Sequence, residues 1–181
     1  MTTENSERSA RLFFALWPDA QARAALAAWQ PVLQELCGGK ATPAANLHAT
    51  LVFLGDVRLA RLEALKLSAQ EVQGKKFDLT CDFAHYWGHN HIVHAAPSLI
   101  PPQLAQLVSA LEHGLRQHRF RFDQRAEYKP HITLLRHAKW SEASLPQMPA
   151  TRWRIEEFSL VQSVADSEGV NYHALERFAL R

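Results

Sequence analysis

The sequence predicts an α+β fold, on three observations. Apolar residues recur at strand-like alternating spacing in some stretches and at helical three-to-four spacing in others, in irregular order. The last third carries hairpin-like strand segments instead of further helix–strand units. No glycine-rich phosphate loop is present, which argues against a doubly wound, mononucleotide-binding sheet.

In chain order, Met1 to Ala10 is polar and is expected to form a disordered tail, with a single domain over residues 11–181. Arg11 to Leu16 forms a strand bounded by Trp17-Pro18, and Asp19 is a good N-cap for the Ala- and Leu-rich helix Ala20 to Leu36. Pro31 should break or kink that helix, and Gly38-Gly39 should stop it. Thr42 to Asn46 is turn-like and leads into an apolar strand, Leu47 to Leu54, ended by Gly55-Asp56. Leu59, Leu62, Leu65 and Val72 mark a second helix stopped by Gly74. Phe77 to Phe83 alternates as a strand, and His91 to Ala95 is another, with Gly88 to Asn90 as the turn. Pro101-Pro102 opens a third helix from Gln103 to about His118, with Leu104, Leu107, Val108, Leu111 and Leu115 on one stripe. After a basic loop comes the strand His131 to Leu135, then a connection marked by Pro146 and Pro149. Trp153 to Ala165 and Tyr172 to Leu180 close the chain as two strands around an Asp166 to Gly169 turn.

Composition excludes several classes. At 181 residues the chain fits one domain or two small lobes sharing a core. With 47% hydrophobic and 21% charged residues it is globular rather than disordered. No apolar run approaches the roughly 18 residues of a membrane-spanning helix, so no membrane association is expected. Cys37 and Cys81 match neither a metal-binding spacing nor a disulfide framework, and a reduced cytoplasmic protein is expected. A monomer is expected.

The functional signal is a motif that occurs twice, roughly eighty residues apart. His48-Ala49-Thr50-Leu51 and His131-Ile132-Thr133-Leu134 both read His-x-Thr-Leu inside apolar strand segments. Alternation puts His48 and Thr50 on one face, as it does His131 and Thr133, with apolar residues opposite. Two such faces set against each other form a cleft with two imidazoles and two hydroxyls, an acid–base pair with hydrogen-bond donors. From Arg116 to Lys139 the chain carries Arg116, Arg119, Arg121, Arg125, Lys129, Arg136 and Lys139 against only Asp123 and Glu127. Such a basic segment favours a phosphate-bearing partner. Arg136 could neutralise phosphate, yet strict alternation places it opposite His131 and Thr133. Tyr128 could stack a base, Phe14 is better explained as core, and Arg11 has no assigned role. His85, His89, His91 and His94 crowd one stretch and raise zinc as a rival, but no acidic or cysteine partner stands at a recognised spacing.

Two His-x-Thr-Leu strands at this separation resemble the signature of the 2H phosphoesterase superfamily. Arg11 to Leu16, Asn46 to Gly55 and Pro130 to Arg136 resemble the first strand and the two motifs of the bacterial RNA 2′,3′-cyclic phosphodiesterases, also called the 2′-5′ RNA ligase family. The stretch Phe77 to Ala96 and the C-terminal hairpin match only in pattern. The resemblance implies a bilobal fold: two pseudo-symmetric lobes of antiparallel sheet, with outer helices, around a central cleft. It implies opening of a 2′,3′-cyclic phosphate at an RNA end, such as a tRNA fragment, to leave a 2′-phosphate, with no metal or cofactor. On that resemblance His48 is the proton donor, His131 the proton acceptor, and Thr50 and Thr133 hold phosphate oxygens, with Arg136 a further candidate. Two alternatives remain: a non-catalytic module that binds RNA ends, and the reverse joining of cyclic-phosphate and 5′-hydroxyl ends.

Overall fold

The computed structural model describes residues 8–141, 144–167 and 169–181. Its centre is an eight-stranded antiparallel sheet made of two halves. One half contains β1 (Ser9–Leu16), β3 (Ala49–Arg58), β9 (Glu157–Asp166) and β10 (Gly169–Ala179), in the order β10-β9-β1-β3. The other contains β7 (Ile132–Arg136), β6 (Ile92–Ala96) and β5 (Phe83–Trp87), with the short β2 (Lys40–Ala41) on β7. The halves meet where β3 pairs with β7, and there the register joins Ala49 to Ile132. A separate two-stranded sheet pairs β4 (Phe77–Cys81) with β8 (Thr151–Ile155). The expected α+β architecture of two antiparallel lobes is what the chain adopts.

The helices are α1 (Ala20–Ala27), α2 (Gln30–Cys37), α3 (Leu62–Gln70) and α4 (Pro102–Gln117). The single expected helix from Ala20 to Leu36 is two helices, broken at Ala28-Trp29. Pro31 falls in the first turn of α2, where its missing N–H costs nothing. Asp19 caps α1 as expected, its carboxylate accepting from the Ala22 N–H at 2.8 Å. Among the described residues no helix is long and apolar enough to cross a membrane.

Alternation along β1 sorts its residues between two faces. Leu12, Phe14 and Leu16 join the large core cluster together with Leu104, Leu107 and Leu111 from α4. Phe13 and Ala15 point the other way, into a small cluster with Val161 beside Trp17, Phe53 and Tyr172. The helical side therefore holds the main core, and the opposite face is left for the cleft.

Several boundaries differ from expectation. Ser9 and Ala10, expected in the tail, instead pair with Arg58 and Val57, and the rest of that expectation, over residues 1–7, lies outside the described residues. Strand β3 does not stop at Gly55-Asp56. It continues to Arg58, because Leu54 is an extra residue against β1 and Gly55 takes a φ of +69° that L side chains rarely adopt. The stretch Phe77 to Phe83 is split at Asp82 between two sheets, with the Asp82 carboxylate accepting from the Ser98 main chain and hydroxyl. The stretch Trp153 to Ala165 is split at Glu156 in the same way.

Candidate active site

The first motif enters from a single 3₁₀ turn, Ala44–Asn46, and the second from the extended segment ending at Pro130. In both, the histidine stands just before its strand and turns its Nδ1 back on the main chain. His48 Nδ1 donates to the Asn46 carbonyl at 2.7 Å, and His131 Nδ1 donates to the Lys129 carbonyl at 2.9 Å. A carbonyl can only accept, so the proton sits on Nδ1 and each Nε2 is left for the cleft. The two bonds have the same two-residue reach, although nothing but the His-x-Thr pattern links the segments in sequence.

His48, Thr50, His131 and Thr133 all line one cavity of about 880 Å³. Arg136 lines it as well. Strict alternation had placed Arg136 on the opposite face, and the structure corrects this. Against β6, Val93 pairs with Leu135 and His94 with Thr133, so Leu134 is an inserted residue. The bulge sends Leu134 and Leu135 both into the core and returns Arg136 to the cleft face. Strand β3 carries the matching device: Phe14 pairs with Val52 and Ala15 with Thr50, leaving Leu51 extra, so Phe53 comes to the cleft. In each strand the insertion lies three residues after the histidine and the recovered residue five after it.

Other residues of the site carry little sequence signal. Trp17 stacks on His48 with centroids 4.8 Å apart and planes 16° apart. Phe13 at 5.1 Å and Tyr172 at 4.9 Å complete an aromatic cage around that imidazole. Trp17 Nε1 donates to the Ala45 carbonyl at 3.1 Å, and Asn46 Nδ2 donates to the Val170 carbonyl at 2.9 Å, which ties the first motif to the C-terminal hairpin. Arg11 lines the cleft with its guanidinium 4.8 Å from the Phe53 ring centroid. Tyr128 packs partly buried against the main core and lines neither the cleft nor the smaller cavity beside it, and its hydroxyl donates to the Thr50 carbonyl at 3.1 Å. Phe14 is core.

His131 has different neighbours. Trp87 stands T-shaped to it with centroids 4.6 Å apart, and so does His94 at 5.4 Å. His94 is only 3% exposed, lies 4.1 Å from Trp87, and its Nδ1 has no hydrogen-bond partner among the described residues. Within the histidine stretch, His85 lies 5.6 Å from it between ring centroids. His85 pairs across from His94, His89 lies against Trp87, and His91 contacts the Tyr86 hydroxyl at 3.1 Å. Among the described residues no three His, Cys, Asp or Glu side chains group as metal ligands.

Burial disfavours charge on all three inner imidazoles. It brings His48 from 6.5 down to about 4, with the Asn46 carbonyl opposing and the positive charge of Arg136 adding. Burial also lowers His131, and it brings His94 down to about 3. Arg136 disfavours a proton on either motif histidine, so one cation addresses both half-sites.

Gly39 shows how closely the second motif is held. A Cβ there would stand 2.5 Å from the Arg136 carbonyl, and the residue has a φ of +84°. Gln30 of α2 donates to the Thr42 and Leu134 carbonyls at 2.7 and 3.0 Å, fixing the bulge from behind.

The LigT like phosphoesterase family matches this chain twice, over residues 16–94 and 95–172, one match for each motif. The chain belongs to this family. It is 34% identical over 172 residues to the RNA 2′,3′-cyclic phosphodiesterase of Escherichia coli K12, covering 94% of this chain and 96% of that one. The Thermus thermophilus enzyme of the same name is 29% identical over 94% of this chain and 90% of its own length. Among solved structures, E. coli LigT complexed with 3′-AMP superposes with a TM-score of 0.86 at 31% identity, covering 96% of this chain and 99% of that one. The two successive matches agree with the two half-sites: a repeated unit has supplied each with a histidine, a threonine and a bulge.

Proposed function

We propose that this LigT-like phosphoesterase hydrolyses 2′,3′-cyclic phosphates at RNA 3′ ends to 2′-phosphomonoesters by acid–base catalysis between its two histidines. The observation that carries the reading is the pair of carbonyl-held imidazoles, each with its Nε2 left for one cavity that two threonines and Arg136 also line. The names of the E. coli and Thermus relatives support the substrate class.

The chemistry needs one base and one acid on opposite sides of phosphorus. His131, neutral with its proton on Nδ1, takes a proton from water through Nε2. The new P–O bond forms as the P–O3′ bond breaks. His48, protonated on Nε2 as well as Nδ1, gives its proton to O3′. Thr50 and Thr133 donate hydrogen bonds to the non-bridging oxygens, and Arg136 offsets their charge. Burial alone leaves His48 short of protons at neutral pH. The bound phosphodiester anion acts the other way, as does the Trp17 ring, whose face favours an imidazolium over a neutral imidazole. Among the described residues His131 has no ring stacked on it in this way: Trp87 and His94 both stand T-shaped to it, at 63° and 73°. Donor at His48 and acceptor at His131 is therefore the assignment the surroundings favour. No step calls for a metal.

The test is turnover of a short RNA with a 2′,3′-cyclic phosphate end in EDTA, with the product terminus identified. The expected result is a 2′-phosphate from wild type and near-complete loss in His48→Ala and His131→Ala. Retained binding of that RNA without turnover by wild type would instead favour the non-catalytic module.

A further inference from the structure

Arg11 stands on the cleft face of β1 without a part in the two-histidine chemistry. It shares that face with Phe13 and Ala15, and it pairs with Ser163 of β9, which also lines the cleft. Asp56 of β3 lies directly across from it. Among the described residues, however, the guanidinium makes no ion pair with that carboxylate and lies over the Phe53 ring instead, 4.8 Å from its centroid. A guanidinium stacked by its face keeps its N–H edge for an anion. Phe53 and Arg136 occupy matching places after the two bulges. Arg11 over Phe53 thus gives the first lobe the cation that the second lobe carries in its own motif strand.

The two arginines differ in what they reach. Arg136 opposes a proton on both motif imidazoles, whereas Arg11 is not among the charges that do so for either. Arg11 therefore lines the same cavity but stands clear of the reacting phosphate. At about 880 Å³ the cavity is near the upper end for ligand pockets and has room for more than a cyclic ester. Among the described residues no Asp or Glu lines it, so a second anion meets no like charge there.

The proposed chemistry fixes where that second anion lies. O3′ leaves toward His48, in the first lobe, while water attacks from His131, in the second. C4′ is bonded to C3′ and carries C5′ and O5′, so the 5′ arm of the nucleotide extends from the His48 side, toward β1 and β3. We infer that Arg11, laid over Phe53, binds the phosphate on the 5′ oxygen of the terminal nucleotide, so that the cleft prefers an RNA end to a bare nucleoside cyclic phosphate. The inference rests on the phosphodiesterase reading above, with His48 as the donor. Arg11 touches no reacting atom. It sets which substrates bind and which way the strand runs, its body leaving over the first lobe.

The test compares two substrates that differ by one group: a nucleoside 2′,3′-cyclic phosphate with a 5′ hydroxyl, and the same nucleoside with a 5′ phosphate. The readout is the ratio of their kcat/KM values, in which general damage to the cleft cancels. Wild type should favour the 5′ phosphate about tenfold, the low end for a hydrogen bond to a charged group. Arg11→Gln should bring the ratio to within about twofold of one, and Arg11→Lys should keep part of it, because the charge stays and the stacked fork is lost. Added salt should shrink the wild-type ratio and leave that of Arg11→Gln flat. A wild-type ratio near one overturns the inference. So does a preference that Arg11→Gln leaves intact and Lys40→Gln removes, which would put the 5′ phosphate in the second lobe. Turnover of a longer cyclic-ended RNA but of neither small substrate overturns it as well, because one 5′ phosphate should have sufficed. Failure of wild type on all three would contradict the phosphodiesterase reading and this inference with it.

Discussion

The half-sites around His48 and His131 share a backbone and differ in their surroundings. Each histidine holds a carbonyl two residues earlier, each is followed by a threonine on the cleft face, and each strand bulges three residues on. Beyond that frame the likeness ends. His48 lies in a cage of Trp17, Phe13 and Tyr172, and its bulge delivers Phe53. His131 lies against Trp87 and His94, and its bulge delivers Arg136. A repeated strand can place two imidazoles but cannot make one an acid and the other a base. In the proposed mechanism, side chains from outside the motifs make that distinction.

The largest expected effect breaks both halves alike: His48→Ala and His131→Ala should each lower kcat by roughly 10²–10⁴-fold on cyclic-ended RNA. The pH profiles should then differ. The His48 variant should lose its alkaline limb and the His131 variant its acidic limb.

Arg136 belongs to one strand but serves both halves. Arg136→Ala should cost about 10²-fold or more in kcat/KM, as for other groups that meet developing charge, with Arg136→Lys restoring only part.

Acid stability follows from the buried imidazoles. His48 and His94 titrate near 4 and 3 when folded and near 6.5 when unfolded. Below pH 6.5 the unfolded chain binds the extra protons, so stability should fall with pH by at most about 1.4 kcal/mol per unit for each group. Denaturant melts at pH 7 and pH 5 check this, and a flat response would mean that neither imidazole is held neutral by the fold.

Trp17→Leu should sharpen the contrast. Removing the stacked face disfavours the imidazolium, so the alkaline limb of kcat should move to lower pH, by up to about one unit. Trp87→Leu should leave that limb in place.

The smallest effects should be symmetric. Thr50→Val and Thr133→Val each remove one hydroxyl hydrogen bond and should cost roughly tenfold or less in kcat.

Alternation made the motif strands and their faces legible, and the family resemblance carried by the doubled His-x-Thr-Leu implied the two-lobe architecture. Strict alternation, which puts His131 on the cleft face, puts Arg136 on the other, so Arg136 could be a site candidate only if the strand twisted or ended there, and the bulge at Leu134 brings it to the cleft. A bulge is one residue of mismatch against a partner strand, and Leu134 shows nothing of β6 in its own sequence. Trp17 and Tyr172 were passed over because they stand far from His48 in the chain and reach it only through β1 and the C-terminal hairpin. Alternation runs straight through Asp82 and hides the split there, whereas at the other split the adjacent Glu156 and Glu157 do interrupt it.

The most direct measurement of the acid–base assignment is the activity of the two histidine variants on a phosphodiester with a p-nitrophenolate leaving group, which departs without a proton. His48→Ala should recover to within about tenfold of wild type, while His131→Ala should stay impaired by roughly 10²-fold or more. Recovery of His131→Ala alone, or of neither, would contradict the assignment of His48 as the proton donor.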